Sequence, residues 1–107
     1  MGRTDSPQLR ALWKLVRSIP RGRVASYGAV GRALPNPCSG FLVGRWMAAC
    51  PQDGTPWWRV VSAHGHLPIG KRSPEAAIEQ RRLLEKERVR FVDDTIVPKA
   101  FCEPGER

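Results

Sequence analysis

The residues best suited to do chemistry in this 107-residue chain stand in one run, Thr55-Pro56-Trp57-Trp58-Arg59-Val60-Val61. Two adjacent indoles lie between a proline and a basic apolar segment. Proline fixes the angle at which the chain enters and biases its predecessor to extended backbone, and Val60-Val61 favours a strand. The run is therefore read as a strand from Trp57 to Val61 beside a loop. An indole nitrogen is a donor only and the ring does not ionise near neutral pH. Neither tryptophan can serve as nucleophile or base, and what the pair offers is a surface that grips. Burial of both rings in the core is the competing use.

The other reactive side chains are sparse. Cys38, Cys50 and Cys102 are odd in number and lack metal-ligand spacing. They are read as free thiols, with no metal and no cofactor expected. The formal net charge of +8 is unevenly placed: residues 1–72 hold 11 Lys and Arg against 2 Asp and Glu, whereas residues 73–107 hold 7 against 8. Such asymmetry favours a polyanion as partner, and the predominance of arginine suits bidentate phosphate contact. A basic surface that merely keeps the chain soluble is the alternative. No run is long and apolar enough for a signal segment or a membrane span. A cytoplasmic protein with no membrane partner is expected, nucleoid-associated if bacterial.

The elements that must position the tryptophans follow from spacing. Asp5 or Ser6 can cap a helix whose apolar residues Leu9, Leu12, Trp13, Val16 and Ile19 recur at helical intervals, with Pro20 stopping it. Ser26 caps a second helix to about Leu34, ended by Pro35-Asn36-Pro37, and Ser39 caps a third to about Cys50. Two short Arg-bearing helices joined by a tight turn are the pattern of a helix-turn-helix. Ser62-Ala63-His64-Gly65-His66-Leu67 reads as a turn that returns the chain, the wing of a winged helix. A last helix is expected from about Pro74 to Arg88, with Ala77, Ile78, Leu83 and Leu84 inward and ion pairs from Arg81 and Arg82 to Glu85. Phe91-Val92 can add a strand, and residues 98–107 are expected to fray. The fold class is expected to be mainly α with short β, a single winged helix-turn-helix-like domain over residues 1–107.

Pro56-Trp57-Trp58-Arg59-Val60 resembles the Pro-Cys-His-Arg-Val active-site segment of O6-alkylguanine-DNA alkyltransferases, with Trp57 at the cysteine position and Trp58 at the histidine position. That replacement is a mark of the alkyltransferase-like proteins. Ile19-Pro20-Arg21-Gly22-Arg23-Val24-Ala25-Ser26-Tyr27-Gly28 is similar to a second family run, Ile-Pro-x-Gly-x-Val-x-x-Tyr-Gly, at every named position. The resemblance covers roughly residues 9 to 92. It implies a non-catalytic, monomeric protein that flips O6-alkylguanine out of double-stranded DNA and flags it for nucleotide excision repair proteins. Alkyl transfer needs a thiolate and a base to take its proton, and neither stands at these positions.

The resemblance also implies site residues. Trp57 borders the pocket for the lesion base, Tyr27 contacts the phosphate of the rotated nucleotide, and Arg72 helps to read the base. Trp58 is either a second pocket wall or core. Arg59 anchors either phosphate or its own loop. Ser39, Gly40, Phe41, Gly44 and Arg45 belong to the DNA-binding helix, where Gly40 and Gly44 are small enough to let it approach a minor groove. Phe41 stands where the family carries an arginine finger, and it is either an apolar wedge or core, with Arg45 as the substitute. Glu87 is in register with a supporting glutamate whose histidine partner is missing. Two other functions are weighed: a sequence-specific regulator reading the major groove, and a residual alkyltransferase using Cys50 or another thiol.

Overall fold

The computed structural model describes residues 7–51, 53–65 and 74–105. Helix α1 spans Pro7–Arg17 and buries Leu12, Trp13 and Val16. These residues, with Ile19, form the stripe that the apolar spacing predicts. Asp5 and Ser6, the expected caps, lie outside the described residues. Strand β1, Ala25–Ser26, leads directly into α2, Tyr27–Ala33. The Ser26 hydroxyl caps α2 by accepting from the Ala29 N–H at 3.0 Å, and Ser39 caps α3, Gly40–Met47, by accepting from the Leu42 N–H at 3.2 Å. Each cap satisfies one of the donors that a helix start leaves unpaired.

The pair α2 and α3 is the helix-turn-helix. The Gly31 carbonyl closes the turn by accepting from the N–H groups of Leu34 and Cys38 at 3.4 and 3.1 Å. Gly31 has no room for a larger residue, since a Cβ there would collide with the Cys38 carbonyl. Both helices pack through Val30 and Val43 into one core cluster with Leu12, Val16, Ile19, Ala25, Leu34 and Val60.

Strand β2, Val60–Val61, pairs in parallel with β1, Ala25 opposite Val60 and Ser26 opposite Val61. Helix α4, Pro74–Lys86, lies against the segment preceding β2. Its inward stripe differs from expectation. Gln80, Leu84 and Glu87 are buried, whereas Ile78 is 70% exposed. Of the expected ion pairs, Arg81 meets Glu85, while Arg82 pairs with Glu79 instead. Strands β3, Phe91–Val92, and β4, Thr95–Ile96, form a hairpin. Its two turn residues, Asp93 and Asp94, have φ of 52° and 63°, the twist that two-residue hairpin loops require.

The C-terminal stretch does not fray. Val24 bridges Phe101 in parallel, and Val24 exchanges backbone hydrogen bonds with Ala100 and Cys102 at 2.9 and 2.8 Å. The Gly105 N–H donates to Ser18 Oγ at 3.1 Å. Residues 98–105 thus close a second core cluster of Val24, Val61, Leu84, Val89, Ile96 and Ala100, while Glu106 and Arg107 lie outside the described residues. The same holds for His66 and Leu67, so the expected wing is described only as far as Gly65. Gly65 itself is backbone-paired to Ile96 at 3.0 Å.

Candidate nucleic-acid interface

The indole pair sits on a turn rather than on the strand expected from Trp57 onward. Asp53 Oδ1 accepts from both the N–H and the hydroxyl of Thr55, at 3.2 and 2.6 Å, and Arg17 Nη1 donates to the same hydroxyl at 3.2 Å. That anchors the chain just before Pro56. The Trp57 N–H then donates to the Thr55 carbonyl and the Arg59 N–H to the Pro56 carbonyl, at 2.7 and 3.1 Å. Trp57–Arg59 is a single 3-10 turn. Extended backbone resumes only at Val60, where β1 supplies a partner.

The turn sends the two rings different ways. Both are half-buried, but Trp58 packs against the second core cluster, whereas Trp57 belongs to neither cluster. Their rings meet edge to face, centroids 6.0 Å apart and planes at 87°. Trp58 Nε1 donates to Glu87 Oε2 at 2.9 Å. The indole N–H therefore occupies the place of the partner that Glu87 lacked on sequence grounds.

Arg59 is committed to the fold. Its Nε and Nη2 donate to the two oxygens of Glu87 at 3.0 and 2.7 Å, and its Nη1 donates to the Ile19 carbonyl at 2.8 Å. The side chain is 14% exposed. Of its two expected uses, the structure has the loop anchor, with Nε, Nη1 and Nη2 each donating once within the fold. Burial alone would push the Glu87 carboxyl up. The donors Arg59, the Gly22 N–H and Trp58, with the Arg59 charge, outweigh burial and hold it below the usual carboxylate range. Gln80, which sequence reasoning missed, donates to the carbonyls of Trp58 and Val60 at 3.2 and 3.3 Å. Its signal was a polar residue in phase with Leu84 and Glu87 on one helix face.

A second group of predicted residues gathers where α2 and α3 begin. A Cβ on Gly40 would stand 2.9 Å from the Gly28 nitrogen and 3.2 Å from the Tyr27 carbonyl carbon. The smallness of Gly40 therefore serves the helix crossing. Gly44 has open space beside it, and its smallness has no internal cause. Phe41 is 74% exposed and Leu42 39%. Phe41 is therefore not core. Arg45 is exposed on the same helix, while Trp46 packs on the first core cluster. Ser39 is an exposed cap, and Tyr27 is half-buried against that cluster. The β1–β2 pairing is what links this group to the indoles. Arg72 lies outside the described residues.

Among the described residues, no group of three or more His, Cys, Asp or Glu could hold a metal ion, and no helix is long and apolar enough to cross a membrane. Burial first, then Asp53, pushes the Cys50 thiol up to about 11 against the opposing pull of Arg17. It is a poor nucleophile at neutral pH, because the thiolate is the reactive form.

Residues 7–89 match the family model described as the DNA-binding domain of 6-O-methylguanine DNA methyltransferase. The chain belongs to this family. Within the methylguanine methyltransferase DNA-binding family, it is 36% identical over 59 residues to a DNA base-flipping protein of Escherichia coli strain K12, covering 54% of this chain and 46% of that protein. The chain thus spans about half the length of that relative. It is 26% identical over 77 residues to a DNA base-flipping protein of Vibrio parahaemolyticus, covering 71% of this chain and 74% of that one.

The family fold extends to solved structures. S. pombe Atl1, in complex with damaged DNA containing O6-carboxymethylguanine, superposes with a TM-score of 0.78 at 25% identity, over 89% of this chain and 94% of that one. The O6-methylguanine methyltransferase of Mycobacterium tuberculosis superposes at 0.67 with 28% identity, over 83% of this chain and 53% of that one. These likenesses bear out the helix-turn-helix reading and the alkyltransferase-like resemblance.

Proposed function

We propose that this chain is a non-catalytic sensor of alkylated DNA. It flips O6-alkylguanine from the duplex and holds it against Trp57. The observation that carries the reading is the fate of the two indoles. Trp58 is tied inward to Glu87, while Trp57, at the position where the family's alkyl-accepting cysteine stands, stays half-buried outside both cores. Flipping a base costs about a few kcal/mol, less for a damaged pair, and stacking on an aromatic ring returns roughly 1–3 kcal/mol per base. A fixed ring can offset most of the cost without making a bond. The names of the relatives support this, as does the S. pombe protein's complex with damaged DNA.

Tyr27 approaches the phosphate of the turned-out nucleotide, and Arg72 reads its edge. Phe41, Gly44 and Arg45 face the duplex. The protein acts as a cytoplasmic or nucleoid-associated monomer that hands the lesion to nucleotide excision repair, a step carried over from resemblance to alkyltransferase-like proteins. Titrating the chain against duplexes with and without O6-methylguanine tests the reading. Tighter binding to the lesion duplex is expected, together with no mass gain on the protein. Equal affinity would remove the sensor, and a gain of one alkyl group would restore the enzyme.

A further inference from the structure

We propose that Trp58 is a positioning residue for this pocket, a buttress that sets the ring of Trp57 and is itself set by Glu87. The proposal rests on Trp57 being the ring that meets the lesion base. Trp58 is held at three points. Its Nε1 donates to Glu87 Oε2 at 2.9 Å, its carbonyl accepts from Gln80 Nε2 at 3.2 Å, and the Arg59 guanidinium stands 5.6 Å from its ring centroid.

Glu87 cannot turn to follow another ring. Its Oε1 accepts from the Gly22 N–H and Arg59 Nε, at 3.1 and 3.0 Å, and its Oε2 accepts from Arg59 Nη2 at 2.7 Å besides Trp58. Four donors take up the lone-pair directions of one carboxylate, so rotation would break several bonds at once. The carboxylate thereby fixes the direction in which the Trp58 ring lies. Trp57 is in neither core cluster, and among the described residues its ring contact is the edge-to-face one with Trp58, at 6.0 Å and 87°.

The link is geometric and not a proton relay. An indole nitrogen donates and does not accept, so no proton can pass from the pocket to Glu87 through this ring. What passes is orientation. A ring already held in place loses less freedom when a base stacks on it. The buttress should therefore raise preference for a flipped lesion while leaving contacts to intact duplex unchanged.

Trp58→Phe keeps a flat ring and removes the N–H that Glu87 holds. Its binding to an O6-methylguanine duplex and to the undamaged duplex would be measured by fluorescence anisotropy of labelled DNA, beside its melting temperature. Expected is a loss of about fivefold in the ratio of the two affinities, the net scale of one hydrogen bond, with affinity for undamaged DNA unchanged. Glu87→Gln, where folded, should lose the same ratio. If Trp58→Phe lowers both affinities together in step with melting temperature, Trp58 is only structural and the proposal is overturned. If Trp58→Phe keeps the parent ratio while Trp57→Ala loses it, the buttress fails and the pocket reading stands. If Trp57→Ala also keeps the ratio, both fall.

Discussion

Gly40, the first residue of α3, packs so closely on Gly28 of α2 that a Cβ would lie 2.9 Å from the Gly28 nitrogen. The atoms it would meet are backbone, Gly28 and Tyr27, and cannot swing aside as a side-chain tip would. Gly40→Ala must push α3 away from α2, and with it Phe41 and Arg45. The alanine gains roughly 1 kcal/mol of helix propensity, against about 1–3 kcal/mol for overpacking. A net loss in stability is expected in urea denaturation, with weaker DNA binding. A variant as stable as the parent would mean that the crossing is looser than this contact requires.

Gly44 gives the opposite result. A Cβ there meets nothing within 4 Å, and the residue is inside α3. Gly44→Ala should stabilise the chain by roughly 0.5–1 kcal/mol. If Gly44 faces the groove, the same methyl group should weaken DNA binding. Stability and affinity then move in opposite directions, which thermal melts and anisotropy titrations on one preparation would reveal.

The capped helices were readable because their signals are local. Ser26 and Ser39 each precede a helix by one residue and accept from its first turn, and the stripe of α1 is apolar throughout. The phase of α4 was not, because a search for apolar periodicity selects Ile78 and passes over Gln80 and Glu87, whose burial depends on partners 20 to 65 residues away. The C-terminal stretch failed for the same reason: Val24 and Phe101 come together only through the tertiary fold. At the site, the indole pair was legible, but the hydrogen bond from Trp58 to Glu87 was not, because it joins residues 29 apart in the chain.

Arg88 ends α4 with φ of 70°. The Val89 N–H donates to the Leu84 carbonyl at 3.0 Å and the Arg88 N–H to that of Glu85 at 2.9 Å, the closing pattern in which glycine is preferred at this position. A left-handed conformation costs an L-residue roughly 1–2 kcal/mol. Arg88→Gly removes that cost, less what glycine's freedom adds to the unfolded chain, about 0.4–1 kcal/mol. A gain of about 0.5–1 kcal/mol, near 4 °C in Tm for a domain of this size, is expected by calorimetry.

Acid should weaken the fold through Glu87. Its carboxyl is held below the ordinary value, so the folded state binds fewer protons than the unfolded one. The stability it contributes is complete above the unfolded glutamate value of about 4.3 and is lost as pH falls through the lower folded value. Asp53 and Glu79 are also held low, first by the Thr55 and Arg82 hydrogen bonds, so the parent's decline is shared. Glu87→Gln leaves Arg59 without its charge partner and should cost about 3 kcal/mol at neutral pH, while its decline in acid should be shallower. Parallel slopes for variant and parent would place the acid sensitivity elsewhere.

Phe41 and Arg45 can be told apart as wedge and finger by salt. Phe41 is 74% exposed, so Phe41→Ala should leave stability within roughly 0.5 kcal/mol of the parent. If its ring enters the stack, affinity for the lesion duplex should fall on the order of tenfold, about 1.4 kcal/mol. An uncharged ring releases no counterions, so the slope of log affinity against log salt should not change. Arg45→Ala, if Arg45 contacts a phosphate, should lower that slope by about 0.9 and weaken damaged and undamaged duplex alike. The wedge acts only where a base is turned out, and the loss at Phe41 should therefore fall on the lesion duplex. Should Phe41→Ala bind as the parent does while Arg45→Ala loses the lesion preference, the arginine fills the vacated space and the phenylalanine is a bystander on the helix.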